Sequence, residues 1–155
     1  MTDPTAEVDH HLSNADANVH TVWNNALDPV LEVRSGDVVR FECRDANDEA
    51  ITSDTTLADL SDPPTTGHHL TGPVAVADAE PGDVLAVDLL GFEHHGWGWT
   101  IYRPGDLGFG LLPEDFPEPG MHIWDLEDDV GHFVNGIEVP LDPFPGVVGV
   151  APADP

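Results

Sequence analysis

Two short apolar runs joined by a glycine-containing turn decide the fold of this chain. Residues 30–43 read VLEVRSGDVVRFEC, with a turn at Arg34–Asp37 between the runs Val30–Val33 and Val38–Cys43. Within the longer run every second residue is apolar and the residues between carry charge, which predicts a half-buried antiparallel strand. The same alternation places Cys43 on the apolar face, so we expect a buried structural thiol there.

The same pattern returns further along the chain. Gly-Asp-Val stands at residues 36–38 and again at 82–84, each time before alternating apolar residues. Pro and Gly number 15 each and fall between short apolar runs, which leaves little room for helices beyond one turn around Ser53–Asp59. Further strands are predicted at Val74–Ala77, Val84–Leu89, Trp97–Tyr102, His132–Val134, Ile137–Leu141 and Val147–Val150, with Asn135-Gly136 as a hairpin turn.

These elements predict an all-β fold, an antiparallel β-sandwich of jelly-roll type with long ordered loops. The longest loop is expected at Pro104–Gly120, whose apolar side chains would pack it against the scaffold. Ordered loops on β scaffolds often carry binding sites. Residues 1–19 are expected to form a flexible acidic tail, and residues 20–155 a single sandwich-like domain.

The charge of the chain is extreme. Among 155 residues there are 30 Asp and Glu against 4 Arg and no Lys, which gives a formal net charge of -26. Such a field repels phosphate, so nucleic acids and anionic membrane surfaces are excluded as partners. Because 40% of the residues are hydrophobic and the acidic residues are spread along the chain, the composition favours a folded protein over a disordered one. A carboxylate-covered surface of this kind predicts a halophilic protein.

Three further features of the sequence bear on where in the cell the protein is located. The N-terminal residues are polar and acidic, without the basic segment or the apolar run of a signal peptide. No apolar stretch approaches the ~20 residues that span a bilayer. The one cysteine, Cys43, excludes an internal disulfide. We therefore expect a cytoplasmic protein with no membrane partner.

Histidines are the side chains best suited to chemistry at neutral pH. His20 precedes a predicted strand, and the pair His68-His69 stands in a glycine-flanked loop before another strand. Adjacent side chains on extended backbone point to opposite faces, so at most one of that pair is expected in a site. The sequence has no helical His-x-x-x-His with Glu, no Cys-x-x-Cys and no EF-hand loop, so any metal would need ligands from separate segments.

The tryptophans at residues 97 and 99 form the least ordinary local pattern. In Gly96-Trp97-Gly98-Trp99-Thr100, alternation places both indoles on one face of a strand, and Gly98 permits a close approach between them. Packing in a core and lining a pocket are both consistent with this pattern.

Several segments, read in order, resemble the acetamidase/formamidase family of linear-amide hydrolases. The resemblance runs from about His20 to the C-terminus. The matching pieces are His20-x-x-Trp23-Asn24-Asn25, Ser35–Val38 with Phe41-Glu42, Arg44–Ala46, His68-x-Leu70–Val74, Ala79–Leu85, Trp97–Thr100, Gly108–Pro113, Asp115–Pro119, Ile123–Leu126 and Gly146–Ala153.

The resemblance implies an all-β fold and hydrolysis of small amides such as formamide or acetamide to ammonia and a carboxylate. It implies a divalent metal such as zinc or calcium. Acid, base or ligand roles are implied for His20, Asp45, Asp54 and His68. Contacts with substrate are implied for Thr71, Gly72, Trp97 and Trp99, the two indoles lining a small apolar acyl pocket.

The chain also departs from the family. Glu49 and Ala50 stand where Gly-Gln is usual, and family members are roughly twice this length, a two-domain size. We therefore interpret the chain as an N-terminal half, whose partners are a small amide substrate and either a complementary C-terminal half or further copies of itself. Two alternatives stay open: a non-catalytic β module retained for assembly, and a stand-alone metal- or ligand-binding β-sandwich.

Overall fold

The structure is a computed structural model that describes residues 7–60, 68–103 and 112–152. These residues form ten β-strands, three 3₁₀ turns and no α-helix, so the predicted all-β class is confirmed. The strands are β1 His10–Leu12, β2 Val19–His20, β3 Leu31–Val33, β4 Val39–Phe41, β5 Leu70–Thr71, β6 Val74–Val76, β7 Trp97–Tyr102, β8 Gly120–Glu127, β9 Val130–His132 and β10 Glu138–Pro140. The 3₁₀ turns lie at Asp16–Asn18, Leu57–Asp59 and Val134–Gly136. Within the described residues, no helix is long and apolar enough to cross a membrane.

The chain divides into two compact units. Unit 1 comprises Met1–Ala50, Pro64–Phe92 and Pro145–Pro155, and unit 2 comprises Ile51–Pro63 and Glu93–Phe144. The most buried apolar side chains are Leu12 and Val33 in unit 1 and Ile51 in unit 2. Leu12 belongs to β1, so a paired strand lies within residues 1–19, where we expected a tail.

Unit 1 is assembled from three separate strand pairs. β1 pairs with β4 and β3 pairs with β6, both in parallel, whereas β2 and β5 are antiparallel. The expectation that residues 38–43 form an antiparallel strand is therefore wrong. The turn before β4 does form, with the Asp37 amide donating to the Arg34 carbonyl at 3.0 Å. The strands on its two sides, β3 and β4, do not pair with each other but with β6 and β1. Apolar alternation specifies which face of a strand is buried, and it does not specify the direction of the neighbouring strand.

Cys43 also differs from the prediction. Regular structure in β4 ends at Phe41, and Cys43 is exposed rather than buried. The protein atoms near the sulfur still raise the pKa of the Cys43 thiol by desolvation, opposed by a hydrogen bond from Thr71. A raised pKa lowers the thiolate fraction, so Cys43 is a poor nucleophile.

Unit 2 is built on an antiparallel sheet with strand order β10-β9-β8-β7. The predicted hairpin turn at Asn135-Gly136 is confirmed: β9 pairs with β10, and both turn residues have positive φ, 60° and 75°. Those left-handed conformations are the reason that Asn and Gly suit this turn. The sequence did not predict β8, because apolar residues occur on both of its faces and blur the alternation.

Side chains of β7, of β8 and of Phe133, which follows β9, meet on one face of this sheet. His122 makes edge contacts with Trp124 and Phe133, each with ring centroids 4.6 Å apart. The Trp124 indole donates to the Thr100 hydroxyl at 2.9 Å. In β7, Gly98 pairs with Trp124 of β8, so residue 98 lies on the face that carries the Trp124 side chain. Trp97 and Trp99 alternate with Gly98 and therefore lie on the other face of β7.

Two other predicted strands do not form, and the predicted long loop is described only in part. Residues 84–89 and 147–150 adopt no regular structure. Residues 104–111 of the expected long loop lie outside the described residues; in the part that is described, Leu112 and Phe116 are more than half exposed. The packing of two sheets into a sandwich stays a prediction.

Candidate functional site

His20 is the best-defined candidate for acid–base chemistry. It lies at the end of β2, half-buried, opposite Leu70 of β5. Its Nδ1 is 2.9 Å from the carbonyl oxygen of Val22. A carbonyl only accepts, so Nδ1 carries the hydrogen and the lone pair of the neutral imidazole is on Nε2. The Val22 carbonyl therefore fixes both the tautomer and the orientation of the ring.

Gly72 lies close to the nitrogen that carries that lone pair. Gly72 is buried, has φ +143° and precedes a cis bond to Pro73. Its amide donates to the Asn18 carbonyl at 2.9 Å, which ties this turn to the start of β2. A Cβ placed on Gly72 would lie 3.9 Å from His20 Nε2, in ordinary contact. Gly72 therefore places no side-chain atom against His20 Nε2.

Thr71 does not join His20. Thr71 pairs with Val19, one position away from the His20–Leu70 pair, so its side chain projects from the opposite face of the β2–β5 ladder. Its hydroxyl donates to the carbonyl oxygen of Glu42 at 2.7 Å. The geometry gives Thr71 a structural role in unit 1, connecting β5 to the end of β4.

Asp45 organises a turn. Its Oδ1 accepts hydrogen bonds from the amides of Asn47, at 2.8 Å, and Glu49, at 2.9 Å. Asp48 and Glu49 both have positive φ, 54° and 61°, which non-glycine residues adopt at a cost of order 1–3 kcal/mol each. The Asp45 carboxylate compensates by satisfying amides that this tight conformation leaves without a ladder partner.

A charged cluster that the sequence did not predict flanks the same turn. We define the Arg44 cluster as Arg44, Asp16, Asp48 and His69, with the carbonyl of Asn14. Arg44 donates twice to that carbonyl, at 3.1 and 2.8 Å, and pairs with Asp16 and Asp48. The hydrogen bonds that Arg44 donates to Asp16 and Asp48 raise the pKa of the Arg44 guanidinium further.

His69, not His68, enters this cluster. The side chain of His69 is 12% exposed, and its Nε2 lies 3.5 Å from Asp48 Oδ2. Its Nδ1 is buried and has no hydrogen-bond partner among the residues that the structure describes. His68 is exposed, as alternation of the adjacent pair requires. The argument that at most one of the two histidines enters a site is thus consistent with the structure, but the residue that the resemblance implied, His68, is the exposed one.

The predicted site residues are divided between the two units. His20, Asp45, His68, Thr71 and Gly72 belong to unit 1, whereas Asp54, Trp97 and Trp99 belong to unit 2. Asp54 is exposed, and both indoles are half-buried. Of the unit 1 residues, His20 and Gly72 come together, and Thr71 and Asp45 are occupied by backbone groups.

A divalent metal was the expected cofactor, and its donor set can be tested. Zinc takes about four nitrogen, sulfur or carboxylate ligands, and calcium more oxygens. In residues 7–60, 68–103 and 112–152, no three His, Cys, Asp or Glu side chains converge as they would around one ion. The described donors do not fit a metal centre, so no chemical step is derived through one.

Sequence comparison identifies similar proteins. A profile of the acetamidase/formamidase family matches residues 5–155. The chain is 32% identical over 147 residues to a formamidase of Methylophilus methylotrophus, covering 89% of this chain and 35% of that protein. It is 29% identical over 168 residues to an acetamidase of Mycolicibacterium smegmatis, covering 99% and 41%.

Solved structures agree with this result. The fold superposes on an acetamidase from Bacillus halodurans with a TM-score of 0.71 and 27% identity, covering 92% of this chain and 46% of that one. A γ-lactamase from Delftia acidovorans gives a TM-score of 0.75 at 30% identity, with coverage of 84% and 36%. The chain therefore spans between about a third and a half of the length of the proteins it matches.

Proposed function

The chain belongs to the acetamidase/formamidase family, and from that premise we propose that it supplies part of the active site of an enzyme that hydrolyses the carbon–nitrogen bond of small amides. The shared chemistry is named in its relatives, which include a formamidase, an acetamidase and a γ-lactamase. Formamide and acetamide are the substrates we propose first.

Hydrolysis of an amide needs a base that takes a proton from the attacking water. In the proposed step the water oxygen bonds to the carbonyl carbon, the water proton goes to His20 Nε2, and the same proton is then passed to the leaving nitrogen as the carbon–nitrogen bond breaks. The products are the carboxylic acid and ammonia. The observation that supports this assignment is the 2.9 Å contact between His20 Nδ1 and the Val22 carbonyl, which places the lone pair of the neutral imidazole on Nε2.

The reaction also needs hydrogen-bond donors for the oxyanion that develops on the carbonyl oxygen. The Gly72 amide already donates to the Asn18 carbonyl. We propose that the donors come from a complementary polypeptide equivalent to the part of the relatives that this chain does not match. Asp54, His68, Trp97 and Trp99 stay proposed contributors, the two indoles as walls of an acyl pocket.

One observation favours a second candidate, a non-catalytic module kept for assembly. Asp45 and Thr71, both expected in the site, use their oxygens to hold backbone groups of unit 1. Under this alternative, residues 20–72 stabilise a β scaffold and a partner performs the chemistry without them.

The proposal is tested by complementation. The chain is co-expressed with the polypeptide encoded directly downstream in its genome, and ammonia release from formamide and acetamide is measured at molar KCl. Turnover by the pair well above the sum of the two separate polypeptides supports the proposal. A pair that turns over no faster than that sum contradicts it.

A further inference from the structure

Residues 84–92 expose an unusual amount of apolar surface. The segment reads VLAVDLLGF, and Val84 is 94% exposed, Val87 57% and Leu89 56%. Leu85, Leu90 and Phe92 are also exposed. Contiguous apolar exposure on this scale usually indicates a surface that another molecule covers.

The sequence of this segment is that of a strand, but its backbone has no strand partner. Apolar residues and the alternation around Ala86 and Asp88 predicted a strand over Val84–Leu89. Among residues 7–60, 68–103 and 112–152, none pairs with it in a ladder. Its amides and carbonyls are therefore available to pair with an added strand.

A second copy of this chain is a poor partner for the segment. An antiparallel pairing of two copies centred on Asp88 would place the two Asp88 carboxylates directly opposite each other, where like charges destabilise a ladder. Each copy also carries a net charge of -26. Long-range repulsion therefore opposes self-association wherever salt does not screen it.

The relatives indicate a different occupant. The acetamidase from Bacillus halodurans matches 92% of this chain with a TM-score of 0.71, yet this chain covers only 46% of that structure. Residues 84–92 thus belong to a fold that, in a relative, is accompanied by more than the same length again of polypeptide. That additional polypeptide is the natural candidate to cover an apolar strand that the matched part leaves exposed.

We propose that residues 84–92 are the docking strand for the complementary polypeptide, which adds a strand along their backbone and covers Val87 and Leu89 on one face and Val84 on the other. This inference rests on the proposed function, because it names the surface through which the two parts of that enzyme assemble. Apolar side chains provide affinity, and the backbone ladder fixes the register.

The test is the affinity between this chain and the polypeptide encoded directly downstream, measured by fluorescence anisotropy at molar KCl. The double variant Val84→Asp/Val87→Asp places charge in the proposed interface, and both side chains are exposed in the free chain, so folding is preserved. We expect the dissociation constant to rise about 100-fold. The control Val134→Asp/Ile137→Asp, at residues of unit 2 that are 49% and 52% exposed, introduces the same two charges elsewhere and should change the dissociation constant less than about threefold.

Hydrogen exchange gives a second measurement that does not depend on variants. The amides of residues 84–92 should exchange rapidly in the free chain and become protected in the complex. Equal affinity of the double variant and the wild type, or no new protection of these amides, would overturn the proposal. So would a free wild-type chain that sediments as a dimer which the double variant loses, since the occupant would then be a second copy.

The outcome also separates this inference from the proposed function. If the two polypeptides bind through residues 84–92 but release no ammonia, the docking surface stands and the hydrolase proposal fails. If the double variant supports the wild-type rate at concentrations below the wild-type dissociation constant, the hydrolase stands and the docking surface fails.

Discussion

Arg44 donates to Asp48 Oδ1 at 2.7 Å, and the other oxygen of the same carboxylate faces His69 at 3.5 Å. The hydrogen bond from Arg44 holds the pKa of Asp48 below its usual value, and the charge of His69 when protonated acts in the same direction. The contacts that Asp48 makes in the Arg44 cluster thus stabilise unit 1 fully only while Asp48 is ionised.

We predict that Asp48→Asn reduces stability in a pH-dependent way. Because the carboxyl has a lower pKa in the folded state, its contribution is present above the unfolded value of about 3.9 and is lost as the pH falls through the folded value. The variant should be less stable than the wild type at pH 7, and the difference should vanish at low pH. Asn tolerates positive φ, so the backbone at residue 48 is not additionally strained.

Urea unfolding at pH 7, 5 and 3 and constant molar KCl measures this difference. Asp28→Asn is the control, since Asp28 is exposed and has no hydrogen-bond partner within the residues that the structure describes. Its effect on the free energy of unfolding should stay within about 0.5 kcal/mol. A destabilisation by Asp48→Asn that is the same at pH 7 and pH 3 would refute a role for the ionised carboxylate.

Gly120 is predicted to tolerate no side chain. It pairs with Tyr102 across β7 and β8, and a Cβ on residue 120 would collide with the Tyr102 ring. The ring also contacts Phe116, with centroids 5.9 Å apart, so its displacement disturbs that contact. We expect Gly120→Ala to cost about 1–3 kcal/mol of unfolding free energy.

Gly146→Ala provides the matched control for that substitution. Nothing lies within 4 Å of a Cβ on Gly146, so its effect should stay within about 0.5 kcal/mol. Chemical denaturation of both variants under the same salt makes the comparison. Equal stability of the two variants would show that the Tyr102 ring moves aside without cost.

Salt should stabilise the fold strongly. The net charge of -26 repels itself over a Debye length of about 10 Å at 0.1 M salt and about 3 Å at 1 M. We expect the melting temperature followed by circular dichroism to rise by more than about 5 °C between these concentrations, which corresponds to roughly 1–3 kcal/mol. Using both KCl and NaCl separates screening from ion-specific effects. A melting temperature independent of salt would contradict the halophilic interpretation.

The elements that the sequence predicted correctly are those encoded locally. The hairpin at Asn135-Gly136 forms because two consecutive residues that accept positive φ stand between apolar runs. Trp97–Tyr102 forms β7 as predicted. Partners of strands are not encoded locally, so the parallel pairing of β4 with β1 could not be deduced from alternation in residues 38–43.

The candidate site shows the same contrast between features that the local sequence encodes and contacts that only the folded chain brings about. Family resemblance identified His20, but the Val22 carbonyl that sets its tautomer is a backbone group with no signature in the sequence. His69 and Asp48 meet only because the turn at residues 45–50 brings them together. Residues 84–89 have the alternation of a strand, and the described structure contains no partner that would make them one.

The central claim is that His20 Nε2 is the base for amide hydrolysis, and His20→Asn tests it most directly. The Asn amide can still donate to the Val22 carbonyl, so the fold and binding of the complementary polypeptide should be retained while the basic nitrogen is lost. The control is His11→Asn, at an exposed residue that bonds Glu42 outside the site. In the complemented ammonia-release assay, we expect His20→Asn to lower kcat by about 10²–10⁴-fold and His11→Asn to leave it unchanged. A fully complemented His20→Asn enzyme that keeps the wild-type kcat would contradict the account.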